Sequence, residues 1–340
     1  MPGSFKNQTI TITRRKTMKK VLLSLLTIAL AFTAIAPAQA QDQKVLAIID
    51  SAINSKNFSS IIHEVCFTTV KSSVVKQNMS CPNGELFMEG TGAASAPWPA
   101  SVNNPTYHGD AMVKSALVNN PATKIVFIRV YNVSSLGNSS TPSDGSTILS
   151  AIDWVNKNAE KYSIDAVSIS LSGINTRTRS LHIGCTDSSI FNPFVDQVSQ
   201  LSVKNIPTFA ATGNDGLKTI VGFPACVTGV IGVGSSSNTV DAGTVVGETA
   251  TNRGPGLDMV APGRASITKY NGSPTNTSGT SVATVTSAAS YVNRNTFKTF
   301  TQYLDALPKQ TIKFVDSFVT VDKKKTIVWE PARVITSNLP

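Results

Sequence analysis

An α/β fold, with a mainly parallel β-sheet and helices on both faces, is predicted by three features of this sequence. Short apolar runs rich in branched residues alternate with amphipathic stretches along most of the chain, the pattern of strands joined by right-handed helical crossovers. Two of those runs pass directly into a carboxylate or a glycine-flanked asparagine, as buried parallel strands do at their carboxyl ends. No Pro/Gly/Ser-rich linker and no internal repeat divides the chain, so one large domain is expected.

The N-terminus is read as processing sequence rather than fold. Met18-Lys-Lys20 is a basic segment, Val21 to Phe32 an apolar one, and Ala38-Gln-Ala40 a small-residue cleavage site. Residues 18–40 are therefore expected to be a signal peptide, and residues 1–17 an extension or mis-assigned start ahead of Met18. The apolar run is too short, and too abruptly ended by Pro37, for a membrane span. Residues 41–340 are left as the folded domain, exported to the periplasm or the medium.

Within that domain, Lys44 to Ile53 reads as a buried strand ending at Asp50. Ser55 to Pro105 reads as a long polar insertion. Tyr107 to Leu117 places Ala111, Met112, Ala116 and Leu117 on one helical face, with His108 at its start. Lys124 to Val130 is a strand. Thr147 to Lys157 is a helix carrying Ile148, Ile152 and Val155 at helical spacing. Ala166 to Leu171 is a strand, Phe191 to Val203 a helix and Thr208 to Ala211 a strand running into Gly213-Asn214. Val282 to Ala289, all small residues, forms a closely packed helix, and the tail from Phe297 a further helix followed by short strands.

The formal charge of +10 misleads about partners. Six of the 30 bases and none of the 20 acids precede residue 41, leaving 24 bases against 20 acids in the domain. With no basic cluster interleaved by aromatics, nucleic-acid binding is not expected. Cys66, Cys81, Cys185 and Cys226 all lie in the exported part, where an even number favours disulfides with three connectivities. No Cys-x-x-Cys pair and only three histidines argue against a metal site, and His63 and His182, in polar stretches, are expected at the surface.

Chemistry points to Thr277-Ser-Gly-Thr-Ser-Val-Ala283. Ser281 leaves a glycine turn at a helix N-terminus, where unpaired N–H groups and the positive dipole end favour a developing negative charge. Such a serine needs a base and a second hydrogen-bond donor. Each upstream candidate has an ordinary structural reading of its own: Asp50 could cap a turn, His108 could be structural, and Asn214 before Asp-Gly is ordinary turn chemistry.

Taken together, Asp50, His108, Asn214 and Ser281, in that order and each at a strand end or helix start, resemble the subtilisin-like serine peptidases. Asp165 to Gly173 looks like that family's substrate-binding strand. Phe223-Pro-Ala-Cys226 with Val230 to Gly234, and Gly254 to Gly263, resemble the segments that follow the asparagine and precede the serine. The resemblance runs from about Val45 to about Asn293. It implies a three-layer fold and an exported endopeptidase with Ser281 as nucleophile, His108 as base, Asp50 as its orienter and Asn214 as oxyanion donor. Ser170, Leu171 and Ser172 would line one side of the substrate cleft, and Ala211, Thr212 and Gly213 the other. Small residues there and no acid in either segment favour a large apolar side chain before the scissile bond. Cys185, after the substrate strand, would pair with Cys226, after the asparagine loop. Cys66 and Cys81 would close a short loop, favourable on entropic grounds. The partners implied are protein or peptide substrates, and the chain is expected to be a monomer. No cofactor is required. Structural calcium is common in the family, but no carboxylate cluster names its ligands here.

The chain departs from the family pattern in three places: Ala52 for glycine, Asp110-Ala111 for Thr-His, and Val285-Thr286 for Pro-His. None replaces a reactive residue. Roughly ten residues separate the cleavage site from Asp50, no room for an N-terminal folding segment. Two other readings compete. One is a catalytically weakened binding protein on the same fold. The other is an esterase, whose Gly-x-Ser-x-Gly pattern Ala283 breaks.

Overall fold

The computed structural model describes residues 44–334 apart from residues 70, 72–79, 96–107, 120, 131, 134–138, 141–144, 176–179, 182–184, 242–243, 269–272, 295–296, 308 and 316–326. The expected signal segment, the extension before it and His182 lie outside the described residues.

In chain order the principal elements are β1 (Val45–Asp50), β2 (Ile61–Phe67), β3 (Phe87–Glu89), α1 (His108–Asn119), β4 (Lys124–Arg129), α2 (Ser146–Asn158), β5 (Ile164–Ile169) and α3 (Ser188–Val203). There follow β6 (Thr208–Ala211), β7 (Ile231–Asp241), β8 (Thr244–Gly247), β9 (Met259–Pro262), β10 (Arg264–Thr268), β11 (Pro274–Ser278), α4 (Thr280–Val292), α5 (Phe300–Ala306), β12 (Lys309–Val315) and β13 (Ile327–Val334). Eleven strands form one sheet in the order β8-β12-β13-β9-β7-β6-β5-β1-β4-β2-β3. From β13 across to β2 every neighbouring pair is parallel, and β3 and β12 add antiparallel pairs at the flanks. This is the mainly parallel α/β sheet that the sequence predicts.

Period-two alternation decides which residue feeds which layer. Leu46 and Ile48 of β1, with Ile125 and Phe127 of β4, pack under Met112, Val113 and Ala116 of α1 and the small-residue face of α4. Val45, Ala47 and Ile49, with Val126 and Ile128, face the other way, against Ile148, Ile152 and Val155 of α2 and Phe194, Val198 and Leu201 of α3. The result is three layers. The helix α4 lies deepest, with eleven of its residues buried. Its hydroxyls survive burial because Thr284 Oγ1 donates to the Thr280 carbonyl at 2.7 Å and Ser287 Oγ to that of Ala283 at 2.9 Å.

Both disulfides form as expected, Cys66 with Cys81 and Cys185 with Cys226. The polar stretch from Ser55 is more than an insertion, a correction to the sequence reading. It contributes β2, parallel to β4, and β3, antiparallel to β2. Glu64 in β2 is buried, and its carboxylate accepts the Gly92 and Ala94 N–H groups at 2.8 and 3.1 Å. A polar residue at a core position hid the strand, because its partners are distant in sequence. His63 of β2 is likewise only partly exposed. Its ring stacks on Tyr162 at 4.4 Å and bonds Glu89 at 3.0 Å. Helix α3 starts before Phe191 because Asp187 caps it, accepting from Ser189 N–H at 2.8 Å. No helix among the described residues is long and apolar enough to cross a membrane.

Candidate active site

Asp50 is the last residue of the central strand β1, so its side chain emerges at the carboxyl edge of the sheet, fully buried. Its Oδ1 accepts the Ser51 N–H at 2.6 Å and the His108 Nδ1–H at 2.8 Å. A carboxylate facing Nδ1 fixes that nitrogen as the protonated one, so Nε2 carries the lone pair. The His108 side chain is 41% exposed; its partial desolvation pulls the pKa down, but the Asp50 charge and the hydrogen bond to it outweigh that pull, and the net shift is upward from 6.5. His108 opens α1, and Gly109 beside it must be glycine. A Cβ there would lie 2.6 Å from the Phe127 ring and 2.8 Å from the Ala52 carbonyl oxygen.

Ser281 sits in the first turn of α4, delivered by the β10–β11 hairpin. The turn needs glycine at 279, with φ at +120° and a Cβ that would press on Asn214 from 3.0 Å. Beyond it, the Thr280 N–H and Oγ1 donate to Asn214 Oδ1 at 2.9 and 3.2 Å. A backbone N–H can only donate, so the atom facing it is the amide oxygen and the Nδ2 donor lies on the other arm of the carboxamide. The Ser281 hydroxyl donates to the Ser170 carbonyl at 3.0 Å, and Ser170 Oγ donates back to the Ser281 carbonyl at 3.0 Å. Nucleophile turn and substrate strand are thereby locked together.

These groups meet in a cleft of about 300 Å³, whose lining includes His108, Asn214 and Ser281. Ser170, Leu171 and Ser172 form part of its wall, as the sequence reading expects, and Gly213 joins them. Ala211 and Thr212 do not, a correction to that reading. They are 1% and 0% exposed, because β6 is a central strand covered on both faces and Thr212 Oγ1 bonds back to the Val233 carbonyl. Ser51, Asp215 and Thr280 line the cleft although the sequence reading did not select them. Each directly neighbours a selected residue, and that adjacency was the available signal. Asp215 puts a carboxylate on the cleft wall, where it accepts from Asn252 Nδ2 at 3.0 Å. Among the described residues no group of three or more His, Cys, Asp or Glu side chains is placed to hold a metal ion.

No protein-family model and no curated protein matches the chain. Solved structures do. A cold-adapted subtilisin-like serine proteinase is 19% identical, with a TM-score of 0.52 over 87% of this chain and 89% of its own. A lanthipeptide protease is 14% identical, with a TM-score of 0.50 over 73% and 71%. A protease from Pseudoalteromonas arctica is 18% identical, with a TM-score of 0.50 over 72% and 75%. The architecture is thus a three-layer α/β fold with a cleft, lined in part by His108 and Ser281, at the carboxyl edge of its sheet. The fold is the subtilisin-like one, and likeness at these identities defines the fold alone.

Proposed function

We propose that this chain is an exported serine endopeptidase that cleaves peptide bonds through an acyl-enzyme on Ser281. One observation carries the reading: the 2.8 Å bond between Asp50 and His108 opens onto a cleft shared with Ser281 and Asn214. Residues from four distant parts of the chain converge on that one place.

In the proposed reaction Ser281 Oγ leaves the Ser170 carbonyl by a side-chain rotation and gives its proton to His108 Nε2 as it attacks the scissile carbonyl. Catalytic hydrogen bonds are often unmade in a free enzyme and tighten with substrate. His108 then protonates the leaving amine, and Asp50 stabilises the imidazolium without taking a proton. Asn214 Nδ2 and the Ser281 N–H, one of the unpaired donors of the first turn of α4, hold the oxyanion. The wall at Ser170 to Ser172 offers backbone pairing to an extended peptide. Export is supported by the leader-like N-terminal sequence and by two disulfides.

The test is labelling by a fluorophosphonate with mapping of the modified residue, alongside turnover of casein and of a simple ester. Modification of Ser281, loss of proteolysis in a folded Ser281→Ala variant and preference for casein are expected. Labelling elsewhere removes the assignment, ester turnover alone favours the esterase reading, and no turnover of either favours a binding protein.

A further inference from the structure

Asp110 stands where the family resemblance predicts threonine, and it is fully buried in the first turn of α1. A buried carboxylate is costly unless hydrogen bonds meet it. Its Oδ1 accepts the Asn54 N–H at 3.0 Å, from the loop that leaves β1 just after Asp50. One residue earlier the traffic runs the other way, the Gly109 N–H donating to Ser51 Oγ at 3.0 Å. Ser51 is itself 2% exposed, and its own N–H holds Asp50 Oδ1. Two oppositely directed bonds therefore join the turn that carries His108 to the loop that follows Asp50. Negative charge in a helix's first turn is also favoured by the dipole, so Asp110 suits its place better than most buried acids would.

We propose that Asp110, together with Ser51, is a positioning residue that clamps the first turn of α1 to the loop after β1 and so holds His108 on Asp50. The clamp accounts for a departure from the family pattern that leaves the reactive residues untouched. Its kinetic consequence rests on the peptidase reading, but its geometric consequence is visible without turnover.

The experiment pairs steady-state kinetics with NMR titration of the His108 imidazole in full-length Asp110→Ala, Asp110→Asn and Ser51→Ala variants. Asp110→Ala is expected to lower kcat by about 10- to 100-fold, the scale of loss for displacement of a reacting group by up to about 1 Å, with KM within about twofold. Its His108 midpoint should fall toward 6.5, the ordinary value, as the bond to Asp50 loosens. Asparagine keeps an oxygen for the Asn54 N–H, so Asp110→Asn should restore most of both readouts. Ser51→Ala should move the titration in the same direction. A folded Asp110→Ala protein with wild-type kcat and titration overturns the proposal, as does an Asp110→Asn protein no better than alanine. If Asp110→Ala does not fold, an unshifted titration in Ser51→Ala overturns it. A wild-type protein without turnover whose His108 midpoint still falls in Asp110→Ala supports the clamp and sinks the peptidase reading.

Discussion

Asn214 shows how one contact orients a reactive group. Thr280 occupies its amide oxygen twice, so the amine arm is the one left for an oxyanion that exists only in and near the transition state. Asn214→Ala is expected to lower kcat by about 100- to 1,000-fold, the usual loss for one oxyanion donor, with KM nearly unchanged. A purely turn-forming asparagine would instead cost stability and leave kcat intact in the folded fraction, so kinetics corrected for active-site concentration separate the two. His108 gives a pH prediction of definite sign. Its pKa is raised above 6.5, so the acid limb of kcat/KM should have its midpoint above 6.5. Asp50→Asn removes the charge that raises it. That variant should shift the limb downward and reduce kcat by about 10,000-fold through the wrong tautomer. The linkage runs opposite to activity. A raised histidine pKa contributes stability that is full below 6.5 and lost as pH rises through the folded value, so this contribution fades where the base becomes competent.

At the scale of elements, β2 is held by partners distant in sequence. The Glu64 carboxylate holds the loop at residues 90–95 through two backbone amides. Glu64→Ala leaves both donors unmet and should cost about 3 kcal/mol, read by urea unfolding. Glu64→Gln keeps a single acceptor and should fall between alanine and wild type. Equal stability of all three variants would show that the loop does not need the carboxylate. Helix α4 is built the opposite way. Its alanines, serines and threonines let it lie against the sheet, and the buried Thr284 and Ser287 hydroxyls return their hydrogen bonds to its own backbone.

At the scale of the molecule, the two disulfides staple regions that the core reaches unevenly. Cys66–Cys81 spans a sequence separation of 15 at the β2 edge. Cys185–Cys226 spans 41 and joins the residues before α3 to the loop after β6. Loop-closure entropy assigns about 3 kcal/mol to the shorter and about 4 kcal/mol to the longer. Paired Cys→Ser replacement should therefore destabilise more at 185/226 than at 66/81, each lowering Tm by about 5 °C in a chain of this size. Calorimetry of the two double variants checks the order, and a reversed ranking would place the stabilisation in local packing rather than in chain entropy.

Features that repeat along the chain or are punctuated locally are legible before any element meets another. The continuous branched apolar runs of β1 and β4, the helical spacing of α2, and the glycine turns before Asn214 and Ser281 are visible because each encodes its own geometry. The order Asp50, His108, Asn214, Ser281 was legible for the same reason, every member lying at a strand end or helix start. Tertiary structure alone decided what depends on partners far along the chain. Burial of Glu64 and Asp110, the stack of His63 on Tyr162, the withdrawal of Ala211 and Thr212 beneath the cleft and the entry of Asp215 onto its wall all required elements to meet in space. A polar residue in a sequence declares only that its groups need satisfying. Which groups satisfy them, and on which face, is settled when the layers close.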